Sequence, residues 1–416
     1  MGAAKMTDEA PVFGTVESPV LDIEATGLLE VQGWALTRGG GETAIRVLVD
    51  GEPVGGPVTR FLRSDVLSDR PELANDNPTP GFVLYINTVL LTNGPHELVC
   101  IAHVGETDMI LGQVRFTTAN TSQLDFFKRV TLDPTPEQRR RKLEKVLSIL
   151  RCPNCEGSLR YATATTLACE RCVSELPVRG HAADFSHENR AVPFDAITTE
   201  TDYDPRVYEV MEEAVAGGGL VLEVGSGRRG YWSEHLVTTE IFSYPFIDVI
   251  NDVEELPFVD EVFQFVCSCA VIEHVPKPWV FASEMQRVTK RGGFLLNTGA
   301  FLQPFHAYPN HFFNMTESAM RLIHDEIEVI SLRPDSSQHP WFALWSFLNL
   351  LAADLGADDR AWLTKLSLEQ LFEELNNYVE SRPSRLRSIN LSEKAMRDLA
   401  AGFVIFGRRR GVDDPE

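Results

Sequence analysis

The feature that most constrains this chain is a short apolar run that ends in a glycine-rich turn. Leu220 to Val224 are apolar except for Glu223, and three glycines follow, Gly225, Gly227 and Gly230. Glycine lets the backbone turn tightly and approach a ligand closely. A G-x-G-x-x-G pattern after a strand predicts a nucleotide-like ligand there, without specifying which. Tyr231 to Leu236 then predict a short helix, whose N-terminal amides would face a polar ligand.

Composition restricts the partners and the location of the protein. The chain has 416 residues and a net charge of −22, enough length for two or three domains. So acidic a surface argues against nucleic acid or anionic lipid as a partner, since phosphate binding needs clustered basic residues. We interpret the basic runs 139–142 and 408–410 as solvated. There is no apolar leader and no apolar run of about 18 residues, which predicts no secretory signal, no membrane span and a cytoplasmic protein.

Strand and helix signals divide the chain into three parts before the glycine turn. Residues 11–118 predict an all-β sandwich, with short alternating runs between Asp-Gly and Asn-Gly turns. Residues 119–150 predict a helical connector, because apolar residues recur there at helical spacing. Residues 151–185 contain two C-x-x-C pairs, Cys152 with Cys155 and Cys169 with Cys172. Four thiolates supply a closed tetrahedral site, which predicts structural Zn²⁺ rather than a redox pair.

The C-terminal part, 190–416, alternates strands with helices. It therefore predicts a parallel, doubly wound α/β sheet that binds its ligand at the carboxyl ends of the strands. Its landmarks resemble those of class I S-adenosylmethionine-dependent methyltransferases (Methyltransf_11-like). A dinucleotide site is the rival interpretation, but its ribose acid should lie about 20 residues beyond the glycines. The resemblance implies that the following residues contact the methyl donor: Glu223, Gly225, Ser226, Gly227, Glu240, Asp252, Val253, Cys269 and Ala270.

Two upstream segments carry resemblances of their own. Leu150 to Cys155, with Leu176 to Val178, resembles the Trm112-like zinc ribbon, which in relatives stands beside methyltransferase domains or is fused to them. The pattern around Gly33-Trp34, Asp50-Gly51 and Gly81-Phe82 resembles a β-sandwich module of bacterial proteins that handle cell-surface glycans. These resemblances imply a methyltransferase fused to a zinc ribbon and a sandwich module, with Gly402 to Arg408 as the closing strand.

The acceptor side of the site is less constrained by the sequence. The segment after the fifth strand contains His306 and His311, which we predict as candidate general bases with His274 as a third. Residues 340–400 predict a helical insertion, whose apolar segment 341–351 should be buried as a lid, a homo-oligomer contact, a membrane-surface patch or a core helix. The favoured function is methylation of a small molecule or glycan. RNA or protein methylation and a non-catalytic assembly role remain alternatives.

Overall fold

The computed structural model describes residues 12–399 except for 20–21, 39–42, 122–123, 187–202, 204, 245, 307–309 and 335–337. The expected closing strand and the basic run 408–410 lie outside the described residues.

The N-terminal region is a sandwich of two sheets, as the alternating runs and turn signals predict. One sheet has the order β1-β3-β7-β6 and the other β2-β9-β8-β4-β5. Asp50 and Gly51, both with positive φ, form the turn between β4 and β5. Residues from both inner faces form one core, because alternate residues of each strand point inward. The strands are β1 Val12–Ser18, β2 Ile23–Ala25, β3 Leu28–Thr37, β4 Ala44–Val49, β5 Glu52–Val54, β6 Thr59–Phe61, β7 Gly81–Asn87, β8 Gly94–Val104 and β9 Thr107–Thr118.

The connector is helical and docks onto the C-terminal region. Helix α3, Pro136–Ile149, begins at a capping box in which Thr135 and Gln138 exchange side-chain and backbone hydrogen bonds. Its buried residues are Lys142, Val146 and Ile149. The interpretation of 139–142 as solvated is therefore wrong for Lys142, which lies on the apolar stripe of the helix and pairs with Asp248.

The cysteine-rich segment and the C-terminal region share one nine-stranded sheet. Its order is β10-β11-β12-β13-β16-β15-β14-β17-β18. The strands from β13 to β18 pair in parallel, as expected for a doubly wound sheet, whereas β10 to β13 pair antiparallel. The strands are β10 Leu159–Thr163, β11 Thr166–Cys169, β12 Glu175–Arg179, β13 Ala182–Asp184, β14 Val221–Val224, β15 Leu236–Glu240, β16 Val249–Ile250, β17 Phe263–Cys269 and β18 Thr289–Thr298.

The helices lie before, between and after these strands. Helix α4 precedes β14 and α5 connects β17 to β18, as in a parallel crossover. Helices α1 to α3 precede the nine-stranded sheet, and α6 to α10 follow β18 and include those of the expected insertion. Besides α3, the helices are α1 Ser64–Ser68, α2 Asp125–Lys128, α4 Pro205–Ala216, α5 Pro278–Val288, α6 Glu317–Ile323, α7 Pro340–Asp354, α8 Ala357–Leu363, α9 Leu368–Val379 and α10 Glu393–Asp398.

The short helix predicted over Tyr231 to Leu236 is absent. Trp232 instead forms an antiparallel bridge with Thr131 of the connector, and a turn at Glu234 and His235 leads into β15. Only eleven residues separate Val224 from Leu236. The space is filled by a different element, because Tyr231 packs against Phe126 and Phe127 of α2. The connector thus supplies packing that a crossover helix would otherwise provide.

The expected burial of the apolar segment 341–351 is also wrong. Trp341 is 72% exposed and Trp345 61%, and helix α7 has no buried residue among those described. Apolar character on every side predicts burial only if another element covers the helix, and among the described residues none does so. None of the described helices combines the length and the apolar character needed to cross a bilayer.

Candidate functional site

The glycine turn lies at the carboxyl end of β14, between the ends of β15 and β17. Gly225 and Gly227 both have φ near +60°, a conformation that favours glycine. A Cβ on Gly225 would lie 2.4 Å from a methyl carbon of Val271. The turn therefore admits no side chain at Gly225, and Val271 defines one side of the bare backbone.

Glu240, the last residue of β15, holds this turn in place. Its carboxylate accepts a hydrogen bond from the amide of Gly227 at 2.9 Å and another from Ile241 at 2.7 Å. Burial raises the pKa of Glu240 even though these amides act in the opposite direction. The structure thus brings together Gly225, Gly227 and Glu240, three of the residues predicted from the sequence. Ser226, also buried, donates its amide to the carbonyl of Thr239 on the same strand.

Glu223 has partners that the sequence analysis missed. One carboxylate oxygen lies 2.5 Å from the guanidinium of Arg229 and accepts a hydrogen bond from the hydroxyl of Tyr203 at 2.8 Å. Burial opposes the charge of Arg229, but the pKa of Arg229 is raised because Glu223 and the neighbouring tyrosines together outweigh that effect. The other carboxylate oxygen of Glu223 is buried and has no hydrogen-bond partner within the described part of the chain. Arg229, six residues after Glu223, is the sequence feature that could have predicted this ion pair.

Asp252 and Val253 follow β16, which pairs with β15 on the side away from β14. Asp252 is exposed and its carboxylate caps its own turn through the amide of Glu254. Val253 is partly buried against the main core. Asp252 and Ile241 both line a cavity of about 210 Å³ between the end of β15 and the cysteine-rich segment. That volume is below the roughly 300–1,000 Å³ of typical small-molecule sites.

The end of β17 faces the turn from the other side. Cys269 is its last residue, and Ala270 follows with φ of +54° and donates its amide to the hydroxyl of Thr298. This positive φ directs the chain back so that Val271 reaches Gly225. Cys269 and Ala270 therefore lie beside the glycine turn, as the sequence predicts.

The three predicted histidines form one group with Glu273. The ring centroids of His306 and His311 are 4.4 Å apart, and His274 lies 5.0 Å from His306. Burial lowers the pKa of both His274 and His311. For His306, burial acts in the same direction, but the adjacent Glu273 raises its pKa above the usual value. His274 and His311 are therefore better suited than His306 to accept a proton at neutral pH.

The four cysteines form a compact cluster, as their spacing predicts. The hairpin β10–β11 returns the second pair to the first. The Sγ atoms of Cys152 and Cys172 are 3.7 Å apart, and those of Cys155 and Cys169 are 3.5 Å apart. A zinc–sulfur distance of about 2.3 Å gives tetrahedral sulfur separations of about 3.8 Å, so the cluster fits a metal. These separations exclude a disulfide, whose S–S distance is about 2.05 Å.

Electrostatics also favour a metal at this cluster. Hydrogen bonds from the hydroxyl and the amide of Ser174 lower the pKa of Cys172 to about 6. The amide of Arg171 likewise lowers the pKa of Cys169. Because thiolates rather than thiols bind metals, these two shifts favour a loaded cluster. The Gly157 amide acts likewise on Cys155, but burial and the neighbouring thiols raise the pKa of Cys155 to about 11.

The residues around the glycine turn also fit the methyl donor. Gly225 and Gly227 expose bare backbone, and the orphaned oxygen of Glu223 is a buried acceptor that an ammonium group could satisfy. Glu240 stands where a strand-end carboxylate can accept hydrogen bonds from ribose hydroxyls. One feature differs from the methyltransferase pattern expected from the sequence: the helix predicted over Tyr231 to Leu236, after the glycine turn, is missing.

Comparison with known proteins agrees with this geometry. Residues 196–297 match a family model described as a methyltransferase domain. An uncharacterized methyltransferase of Mycobacterium tuberculosis is 38% identical over 72 residues, which are 16% of this chain and 28% of the relative. One from Mycobacterium leprae is 38% identical over 72 residues, covering 16% and 27%. The chain thus spans less than a third of the length of these relatives.

These matches concern the C-terminal region, where residues 196–297 are similar to a methyltransferase domain. Among solved structures, the chain is similar to a SAM-dependent methyltransferase from Aquifex aeolicus, at a TM-score of 0.20 and 13% identity, over 28% of this chain and 77% of the other. A likeness at that TM-score carries no argument about the whole chain.

Proposed function

We propose that this protein is an S-adenosylmethionine-dependent methyltransferase that acts on a small-molecule or glycan acceptor. The main support for this proposal is that the expected donor site and the expected acceptor site lie at the same edge of the sheet. The glycine turn with Glu240, and the histidine group with Glu273, both lie at the carboxyl edge of the parallel sheet. Ligands of doubly wound sheets bind at this edge.

The methyl donor supplies an electrophilic methyl group on a sulfonium. The chain then has to hold the donor and bring an acceptor into line with it. We assign the donor to the bare backbone at Gly225 and Gly227, with Glu240 and Asp252 as the carboxylates for its nucleoside. Val271 joins the two parts of the site, because it contacts Gly225 while its neighbours Glu273 and His274 belong to the histidine group.

The histidine group would receive the acceptor. If the acceptor atom carries a proton, a neutral imidazole can remove it during transfer. Burial lowers the pKa of His274 and His311, which keeps both rings neutral at pH 7. A small-molecule or glycan acceptor agrees with the net charge of −22, which disfavours nucleic acid.

We also propose that the four-cysteine cluster holds structural Zn²⁺. Four thiolates leave no open coordination position, so such a metal would stabilise the fold rather than take part in chemistry. Support comes from the sulfur separations of 3.5 and 3.7 Å and from the burial of Cys152 and Cys169 in the core that the methyltransferase sheet also uses.

Donor binding is tested by calorimetric titration of S-adenosylmethionine into the full chain. The test variant is Gly225→Ala, because an added Cβ would collide with Val271 at the proposed donor site. The matched control is Gly218→Ala, since Gly218 has a similar φ of +76° but open space around it. We expect binding by the wild type and the control and at least tenfold weaker binding by Gly225→Ala. No binding by the wild type would contradict the enzyme proposal and favour an assembly role.

The acceptor is tested by transfer of a labelled methyl group to pooled glycans, small metabolites, RNA and protein. Labelling of a glycan or small molecule that Gly225→Ala abolishes would support the acceptor class. Labelling of RNA or protein alone would overturn it while leaving the methyltransferase assignment intact.

A further inference from the structure

Glu273 is a buried carboxylate. It is 1% exposed, and among the residues that the structure describes neither of its carboxylate oxygens has a hydrogen-bond partner. The nearest cationic group is Nε2 of His306, 3.9 Å from Oε1, which is beyond hydrogen-bond distance. Burying an ionised carboxylate without compensation is costly. A positive charge placed beside Glu273 would offset that cost.

Two imidazoles beside Glu273 each have one ring nitrogen bonded to a backbone carbonyl. Nδ1 of His274 lies 2.6 Å from the carbonyl oxygen of Asn310, and Nδ1 of His306 lies 3.0 Å from that of Pro304. A carbonyl only accepts, so each Nδ1 carries the hydrogen and each Nε2 is left with a lone pair. Metal-binding histidines are typically fixed in this way, with the second nitrogen donating to a carbonyl or carboxylate.

We infer that Glu273, His274 and His306 form a binding site for a divalent transition metal, separate from the four-cysteine cluster. One ligand atom from each residue lies within 4.8 Å of the other two. With metal–ligand distances of about 2.0–2.1 Å, tetrahedral ligands lie about 3.4 Å apart, so the ligand atoms would approach one another by up to about 1.4 Å on binding. His306 follows β18 and is half-buried, which leaves it free to make this movement.

The ligand set defines the class of metal. Two imidazoles and one carboxylate suit Zn²⁺ or Fe²⁺ and leave open coordination positions, unlike four cysteines. His311 stands outside the set, because its Nε2 contacts the side-chain oxygen of Asn314 at 2.9 Å and its Nδ1 accepts the amide of His306. His274 could not act as a base while its Nε2 holds the metal; the metal would instead lower the pKa of an acceptor hydroxyl bound at an open position. This last consequence rests on the proposed function; metal binding itself does not.

Co²⁺ titration of the full chain tests the inference without any methyl donor. The protein is first dialysed against EDTA so that only tightly held metal at the cysteine cluster remains. We expect one further equivalent of Co²⁺ to bind, with visible d–d bands and no thiolate-to-metal charge-transfer band. Glu273→Gln and His306→Ala should each weaken this binding by at least tenfold. His306→Ala changes a half-buried loop residue, so it keeps the test valid if Glu273→Gln does not fold.

The matched control is His103→Ala, which removes an exposed histidine of the sandwich that faces Asp108. This variant should bind Co²⁺ like the wild type. The inference is overturned if the wild type binds no Co²⁺ outside the cysteine cluster, or if both test variants bind as tightly as the control. Because the titration contains no S-adenosylmethionine, its failure is distinct from failure of the methyltransferase proposal.

Discussion

Lys142 of the connector helix forms a buried ion pair with Asp248 at the edge of the methyltransferase domain. Its Nζ lies 2.8 Å from Oδ2 of Asp248, and the residues are 2% and 5% exposed. The same ammonium lies 5.2 Å from the ring centroid of Trp232. Asp248 also accepts hydrogen bonds from the amide and hydroxyl of Thr238. The connector is thereby attached to β15 and to the segment before β16.

Replacing Lys142 with Met should destabilise the fold by about 3–5 kcal/mol, because it leaves the Asp248 carboxylate buried and unpaired. Urea unfolding followed by tryptophan fluorescence measures the change. Lys145→Met is the matched control on the same helix, since Lys145 is exposed and its pairing with Glu234 is at the surface; we expect a change within about 0.5 kcal/mol. Equal effects from the two variants would refute the role given to Lys142.

Tyr85 of the sandwich leaves no space for a side chain at Gly230 of the glycine turn. A Cβ on Gly230 would lie 2.1 Å from the Tyr85 ring, whose hydroxyl donates to the carbonyl of Arg228. Gly230→Ala should therefore destabilise the protein by about 1–3 kcal/mol through overpacking. In a Tyr85→Ala background the added cost should fall to less than half, because the clash is gone. Additive effects in this double-mutant cycle would show that the two residues are not in contact.

Loss of one cysteine ligand should release the proposed zinc. Cys172→Ser should lower the zinc content from about one equivalent to near zero and lower the Tm by roughly 10 °C, as expected for a loss of about 3 kcal/mol from a domain of this size. Glu170→Ala, an exposed change within the second C-x-x-C pair, should leave both unchanged. Metal analysis and thermal unfolding provide the two measurements. Full zinc content in Cys172→Ser would contradict the four-cysteine assignment.

The sandwich should lose stability as pH rises through neutrality. His96 is buried with Nδ1 2.6 Å from Asp50 and Nε2 2.8 Å from the carbonyl of Thr92, so both nitrogens face acceptors. Burial opposes the charged ring, but these acceptors outweigh it and raise the pKa of His96. A raised folded pKa contributes stability that is complete below the unfolded pKa of about 6.5 and is lost as pH rises through the folded value.

Thermal unfolding between pH 5.5 and 8.5 measures this contribution, and His96→Gln is the test variant. The variant should flatten the decline of Tm with pH that the wild type shows across neutrality. An unchanged decline in His96→Gln would assign the effect to another group.

The local patterns predicted most of the elements correctly. Hairpin turns at Asp50-Gly51, helical spacing in 137–150 and the two C-x-x-C pairs each depend on neighbouring residues, so they can be recognised in the sequence. The sequence could also have identified Lys142 as buried, because it lies four residues before Val146 on the same helix face.

What the sequence did not predict depends on contacts between distant segments. The absence of a helix over Tyr231 to Leu236 follows from packing of Tyr231 against α2, which lies about a hundred residues earlier in the chain. The exposure of Trp341 and Trp345 likewise depends on whether another element covers α7. In the sequence, Glu273 could be recognised only as part of the Ile272-Glu273-His274 segment. That its carboxylate is buried, unpaired and near two oriented imidazoles is a property of the folded chain.

The pairing of β13 with β16 has a consequence for solubility. An unprotected strand at the side of a sheet is a template for association with other chains. The cysteine-rich segment pairs its strand β13 with β16, so β16 is not an edge strand. The edge of the sheet on this side is β10, in the hairpin of the cysteine-rich segment. If metal loss loosened that segment, β16 would be uncovered, and the result would be self-association of the protein before any unfolding of the methyltransferase core.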